Sequence, residues 1–148
     1  MPFERFTKDA RATVLAARHE ARAAGAATIE AEHLLLALAA RPEFASLGLD
    51  REALADALAR EEEQSLEAVG VSAAELGAPP AGRTPRDPQL STSAKLALHR
   101  AVAAASKRGE RHLHAGHVLL GVLAAQHGRV PRALGIAGID AGELRARI

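Results

Sequence analysis

Residues 28–40, TIEAEHLLLALAA, return in altered form as residues 112–124, HLHAGHVLLGVLA, and this recurrence decides the fold. Sliding the chain by 84 positions superposes Phe6 on Leu90, Thr7 on Ser91, Ala10 and Arg11 on Ala94 and Lys95, Gly25 on Gly109, His33 on His117 and Leu38 on Val122. Self-similarity at a fixed offset marks a tandem repeat. The run from His33 through Leu34, Leu35, Leu36, Ala37 and Leu38 is apolar on nearly every side, and a helix of that kind belongs at the centre of a domain. Each copy is expected to supply one core helix.

Working outward, Thr7 is placed to cap a helix over residues 8–24 and Gly25 to end it, with Ala10, Val14, Ala17 and Ala21 on one stripe. Ser91, Gly109 and the stripe Ala94, Leu98, Ala101, Ala105 repeat the arrangement in the second copy. After the first core helix, Pro42 and Gly48 bound a third helix of only a turn or two. The matching stretch of copy two, residues 129–138, falls in a region six residues longer, which aligns Leu47, Gly48, Leu49, Asp50 with Ala137, Gly138, Ile139, Asp140. Asp50 then caps a long helix to about Val69, striped by Leu54, Leu58, Leu66 and Val69, and Asp140 opens a short last one. The run Glu61, Glu62, Glu63 interrupts the long stripe and reads as a solvated face.

Between the copies, residues 71–89 turn rich in Gly and Pro and read as a linker, with a capping-box turn at Ser72, Ala73, Ala74, Glu75. The expected architecture is all-α: two pseudo-twofold-related four-helix repeats, residues 1–70 and 90–148, packed into one eight-helix domain.

Composition agrees. The 148 residues are 48% hydrophobic but only 2% aromatic, so the core is built from Leu, Val, Ile and much Ala, which favours close-packed helices. A chain of this length buries roughly two-thirds of its unfolded surface. The formal net charge of +1 provides no global field toward nucleic acid or anionic lipid. Without cysteine there is no thiol nucleophile, thiolate ligand or disulfide. The start Met1, Pro2, Phe3, Glu4, Arg5 is not a signal peptide, and no apolar run approaches the roughly 20 residues that span a bilayer, so a cytoplasmic protein is expected.

Phe3, Glu4, Arg5, Phe6, Thr7, then Glu32, His33, Leu34, Leu35, Leu36, then Leu47, Gly48, Leu49, Asp50, with a degenerate second round, together resemble the double Clp N-terminal repeat domain of ClpA- and ClpC-type AAA+ unfoldases. The resemblance covers essentially the whole chain. It implies an all-helical docking domain for adaptors, substrates and regulators, without catalysis and without cofactors. In the ClpC branch it also implies recognition of phosphorylated arginine on proteins marked for degradation. None of Lys8, Lys95 and Lys107 ends a Gly-x-x-x-x-Gly-Lys-Ser/Thr phosphate loop, so the sequence reads as a free-standing domain without its ATPase.

Glu32 aligns with the acidic residue that meets the phosphoarginine guanidinium in ClpC-type domains; its alternative role is to complement the dipole of the core helix. Copy two has Gly116 there, so at most one such pocket is expected. His33 and His117 are read as partly buried rings bonded to backbone at a loop-to-helix junction. His112, His114 and His117 form an H-x-H-x-x-H string suggestive of zinc, but no metal is expected, because they straddle a loop and a first turn and no acidic neighbour supports them. Phe6 is read as a core staple and Phe3 as an exposed hydrophobic docking point. Arg5, Arg11, Lys95 and Arg100 are candidates for an acidic adaptor.

The functional expectation is a non-enzymatic protein- or peptide-binding module, an accessory, adaptor-binding or decoy protein acting on Clp-dependent proteolysis. Its expected partners are adaptors, substrates or peptide-like ligands of Clp unfoldases, including phosphoarginine-marked proteins, and neither nucleic acid nor membrane. The alternative is a small helical DNA-binding regulator, which the near-neutral charge disfavours. No Ser-His-Asp or paired-carboxylate constellation points to an enzyme.

Overall fold

A computed structural model describes residues 3–71 and 87–148. The turn expected at Ser72 to Glu75 lies outside the described residues. After a 3-10 turn at Phe3–Arg5, copy one comprises α1 (Lys8–Ala23), α2 (Ala31–Ala39), a 3-10 helix (Pro42–Leu47) and α3 (Arg51–Ala68). Copy two comprises α4 (Thr92–Lys107), α5 (Ala115–Leu123), α6 (Arg129–Ile136) and α7 (Ala141–Ala146). The fold is all-α, with four helices to a copy among the described residues, as the repeat implied.

Local signals place the helix ends. Gly25 and Gly109, at φ 68° and 70°, follow α1 and α4 in the left-handed region that glycine adopts without strain. Ser91, Asp50 and Asp140 accept from the amides of Ala94, Ala53 and Glu143 at 3.4, 3.1 and 3.0 Å. Thr7 sits at the N-cap of α1 without capping it; its hydroxyl donates to Asp9 Oδ1 instead. The stripes of α1 and α4 are buried as expected, Val14 only in part, and Thr13 and Ala97 join them at equivalent positions. The stripe of α3 ends early: Leu54 and Leu58 are buried, whereas Val69 is 73% exposed.

Two tiny parallel pairings, not foreseen from the sequence, knit the copies together. Thr28–Ile29 (β1) pairs with Gln89–Leu90 (β2), Ile29 opposite Leu90, and Phe6 forms the matching bridge with Leu113. Under the 84-residue offset, Phe6 corresponds to Leu90 and Ile29 to Leu113, so each copy's pre-core segment pairs with the other copy's entry segment. The hydrogen bonds follow suit: Ser91 N donates to the Ile29 carbonyl and Thr7 N to the Leu113 carbonyl, both at 2.9 Å. Side chains repeat the exchange. Asp9 Oδ2 accepts from Ala115 N at 3.2 Å, at the start of α5, and Ser93 Oγ from Ala31 N at 2.9 Å, at the start of α2. Each core helix therefore has a first-turn amide satisfied by the other copy. Both core helices and both first helices share one buried cluster that includes Leu34, Leu35, Leu38, Leu98, Val118, Leu119 and Val122.

Candidate functional site

The N-terminus of α2 opens onto a groove of about 1110 Å³. Its apolar lining comes from Leu36, Leu58, Leu96, Ala97, Val122 and Val130, and Leu96 is 46% exposed. Glu30, Glu32 and Glu62 supply carboxylates, and Arg100, His127 and Arg129 also line it. A groove with an apolar floor and a few charged groups suits a protein segment better than a small polar metabolite.

Glu32 lies in this groove, but its carboxylate already has a partner from the other copy. Arg129, the first residue of α6, donates from Nη1 to Glu32 Oε1 at 3.2 Å, from Nε to Glu61 Oε2 at 2.8 Å and from Nη2 to the Leu58 carbonyl at 3.1 Å. Arg132 donates to the other oxygen of Glu61 at 2.9 Å, and Ser65 Oγ donates to the same oxygen at 2.8 Å. Burial pushes the Glu61 carboxyl up, and hydrogen bonds from Arg129, Ser65 and Arg132 outweigh it and hold the group below its ordinary range. Glu61 is 2% exposed, which corrects the reading of the acidic run as wholly solvated: Glu62 and Glu63 are exposed, but Glu61 points inward to meet two arginines. Sequence reasoning missed this cluster. A carboxylate at helical spacing after Leu54 and Leu58 was the available signal, while its partner lies 68 positions away.

At the equivalent end of α5 the groups differ. His33 Nδ1 accepts from Glu30 N at 2.8 Å and His117 Nδ1 from His114 N at 3.0 Å, so both histidines fill the place that Glu or Gln takes in a capping box. This is the backbone-bonded junction expected of them. Contrary to expectation, His114 and His117 do converge, and with an acidic neighbour: Glu110 Oε2 lies 3.2 Å from His114 Nε2 and 3.0 Å from His117 Nε2, while the two rings stack at 3.8 Å. These three side chains have the spacing of a metal site. Their protons argue otherwise. His114 Nδ1 accepts from Gly116 N at 3.1 Å, so both rings accept backbone N–H at Nδ1. Each neutral ring therefore carries its proton at Nε2, the atom a metal would need free.

The capping role makes a pH prediction. His33 is held below its ordinary value by burial, against the pull of Glu32 and Glu30; His117 is lowered by burial and then by His114 and Arg108. An unfolded histidine takes up a proton near pH 6.5, before the folded one does, so between the two values the unfolded chain binds more protons and stability falls as pH falls. The thermal midpoint should drop between pH 7.5 and pH 5.5. In the double variant His33→Gln, His117→Gln, whose amides can still accept the backbone N–H, that drop should largely vanish. Equal midpoints at both pH values in the unmodified protein would refute the capping account. Asp9, Glu30 and Glu61, all held below their ordinary range by hydrogen bonds that outweigh burial, extend the loss at more acid pH, as each becomes protonated.

Phe3 does not join the groove. It is 38% exposed on the N-terminal turn, its ring 4.9 Å from that of Phe6, which is buried as expected. Arg5 donates to the carbonyl of Arg111 in the other copy at 3.0 Å, and Arg11 to that of nearby Phe3 at 3.1 Å. Arg100 alone of the four basic candidates lines the groove.

In overall shape the chain is similar to the N-terminal domain of the caseinolytic protease associated chaperone ClpD from Arabidopsis thaliana, with a TM-score of 0.73 and 22% identity over 99% of this chain and 93% of that one. It is also similar to the Hsp104 N-terminal domain from Candida albicans, with a TM-score of 0.65 and 16% identity over 96% and 87% of the two chains. A third similar structure comes from work on a malarial protein secretion system, at a TM-score of 0.70 and 20% identity over 97% of this chain and 91% of that one. At such identities the likeness concerns the fold. No curated protein matches the chain in sequence. The family model for the Clp repeat N-terminal domain matches residues 5–135, a span that holds both core helices and both exchanged pairings, and the chain belongs to that family.

Proposed function

We propose that this chain is a non-enzymatic protein-binding module, an accessory, adaptor-binding or decoy protein of Clp-dependent proteolysis that captures protein segments in the groove beside α2. The observation that carries the reading is the groove itself, apolar along Leu36, Leu58, Leu96 and Val122 and flanked by charges of both signs. The DNA-binding alternative finds no support in the family. Many of its arginines are moreover engaged by carboxylates: Arg18 by Asp87, Arg41 by Glu43, Arg51 by Glu20, and Arg129 and Arg132 by Glu61.

Affinity capture from a native extract with the purified chain, alongside a Leu96→Asp variant, tests the reading. Recovery of a Clp unfoldase, its adaptor or its substrates by the unmodified chain and their loss from the variant is the expected outcome. Equal recovery by both would place docking elsewhere, with Phe3 the next surface to change.

In its finer form the reading has one phosphoarginine site, with Glu32 as the carboxylate. Titration should then show a single site that Glu32→Gln removes, since loss of one member of a desolvated charge pair costs about 2–5 kcal/mol. Two equal sites would show that this carboxylate is not decisive. Gly116→Glu would not simply rebuild the second site. A Cβ there would stand 2.8 Å from His114 Cε1, on a ring pinned through its Nδ1, and 3.6 Å from Ile148 Cγ2.

A further inference from the structure

We infer that Arg129 is a built-in occupant of a guanidinium socket made by Glu32, Glu61 and the Leu58 carbonyl, and that it sets how tightly the groove takes an arginine-bearing ligand. The inference rests on the proposed docking role of the groove, and it concerns a residue that this role had not implicated.

All three nitrogens of the Arg129 guanidinium donate, each to a different acceptor, at 2.8, 3.2 and 3.1 Å. The acceptors belong to copy one and the guanidinium to copy two. Glu61 is nearly inaccessible and Glu32 is 8% exposed, so the socket walls are desolvated and their charge calls for a cation. A planar fork meets three acceptors placed around it; an ammonium is a point charge without that geometry. The Arg129 side chain itself is 37% exposed and lines the groove. It is therefore held by buried groups yet reachable from the ligand side, so an incoming arginine or phosphoarginine competes with it for Glu32. Arg132 remains on Glu61 when Arg129 leaves, so the deeper carboxylate keeps one counter-charge during the exchange. Gly128, at φ 104°, immediately precedes Arg129, so the backbone beside it adopts a conformation that favours glycine.

The test compares the unmodified chain with Arg129→Ala and, as a milder replacement that retains a donor, Arg129→Gln. Thermal midpoints are measured with millimolar methylguanidinium or methylammonium at equal ionic strength, and phosphoarginine affinity by calorimetry. The expected result is a lowered midpoint in both variants. Methylguanidinium, but not methylammonium, should raise it by several degrees and leave the unmodified chain unchanged. Phosphoarginine should bind the variants at least ten times more tightly. Should methylguanidinium rescue the variants while phosphoarginine binds none of the three proteins, the socket stands and the phosphoarginine reading falls. Should phosphoarginine bind all three equally, that reading stands and Arg129 is no competitor. Identical responses of variants and unmodified chain to methylguanidinium would overturn the socket itself.

Discussion

Gly121→Ala is expected to lower the thermal midpoint by about 6–12 °C, although the same substitution in an ordinary helix is stabilising. A Cβ at position 121 would lie 2.1 Å from the Ala97 carbonyl oxygen and 2.8 Å from Ala101 N. Both are backbone atoms of α4, so no side chain can swing aside; α4 and α5 must separate, which loosens Leu98, Ala101, Val118 and Val122 around them. Overpacking of this kind costs typically 1–3 kcal/mol and at times more, and the backbone contact puts this case at about 3 kcal/mol. For a chain of this length about 2–4 °C accompanies each kcal/mol. The corresponding residue in copy one is Ala37, so α1 and α2 are already spaced for a methyl group. Gly135 in α6 is the internal control: a Cβ added there would meet nothing within 4 Å, and Gly135→Ala should gain up to about 1 kcal/mol from helix propensity alone. Gly121→Ala as stable as the unmodified chain would mean that the two helices do not approach so closely.

Separating the copies should have a larger effect still. The fragment 1–71 is expected to show no cooperative thermal transition, whereas the whole chain melts in one step with calorimetric and van't Hoff enthalpies in agreement. In the fragment Ile29 loses Leu90, Phe6 loses Leu113, the first turn of α2 loses Ser93, and Glu61 is buried without either arginine. A core from fewer than about 80 residues rarely supplies more than 3–5 kcal/mol, and removing the partner of a buried charge costs a similar amount. Circular dichroism melting of the fragment decides the matter. A sharp transition near that of the full chain would show that copy one is self-sufficient.

These two outcomes rest on different degrees of legibility. The helices were readable because their determinants are local: Gly25, Gly48, Gly109 and Gly138 all take positive φ at helix ends, and Ser91, Asp50 and Asp140 cap the helices they precede. The pairing of Ile29 with Leu90 was not, because two-residue strands have no periodicity to detect. The resemblance directed attention to Glu32, but its partner Arg129 is 97 positions distant, and an arginine beside a proline-containing turn gives no sign of where its guanidinium ends. The histidines show the intermediate case. Their backbone bonds follow from position at the third residue of a helix, whereas Glu110 reaches His117 only through the fold of the loop between them.

The exchanged pairings have a consequence for assembly. Because Ile29 seeks the other copy's Leu90 and Leu113 the other copy's Phe6, two separate chains, one carrying each copy, would satisfy both ends simultaneously across a pseudo-twofold axis, as a heterodimer. Joining the copies in one polypeptide replaces that encounter by an intramolecular one, governed by an effective concentration in place of the bulk one. Stability then ceases to depend on how much protein is present. It also frees the two halves to diverge, which is how one can keep a carboxylate at Glu32 while the other carries Gly116 and supplies the arginine.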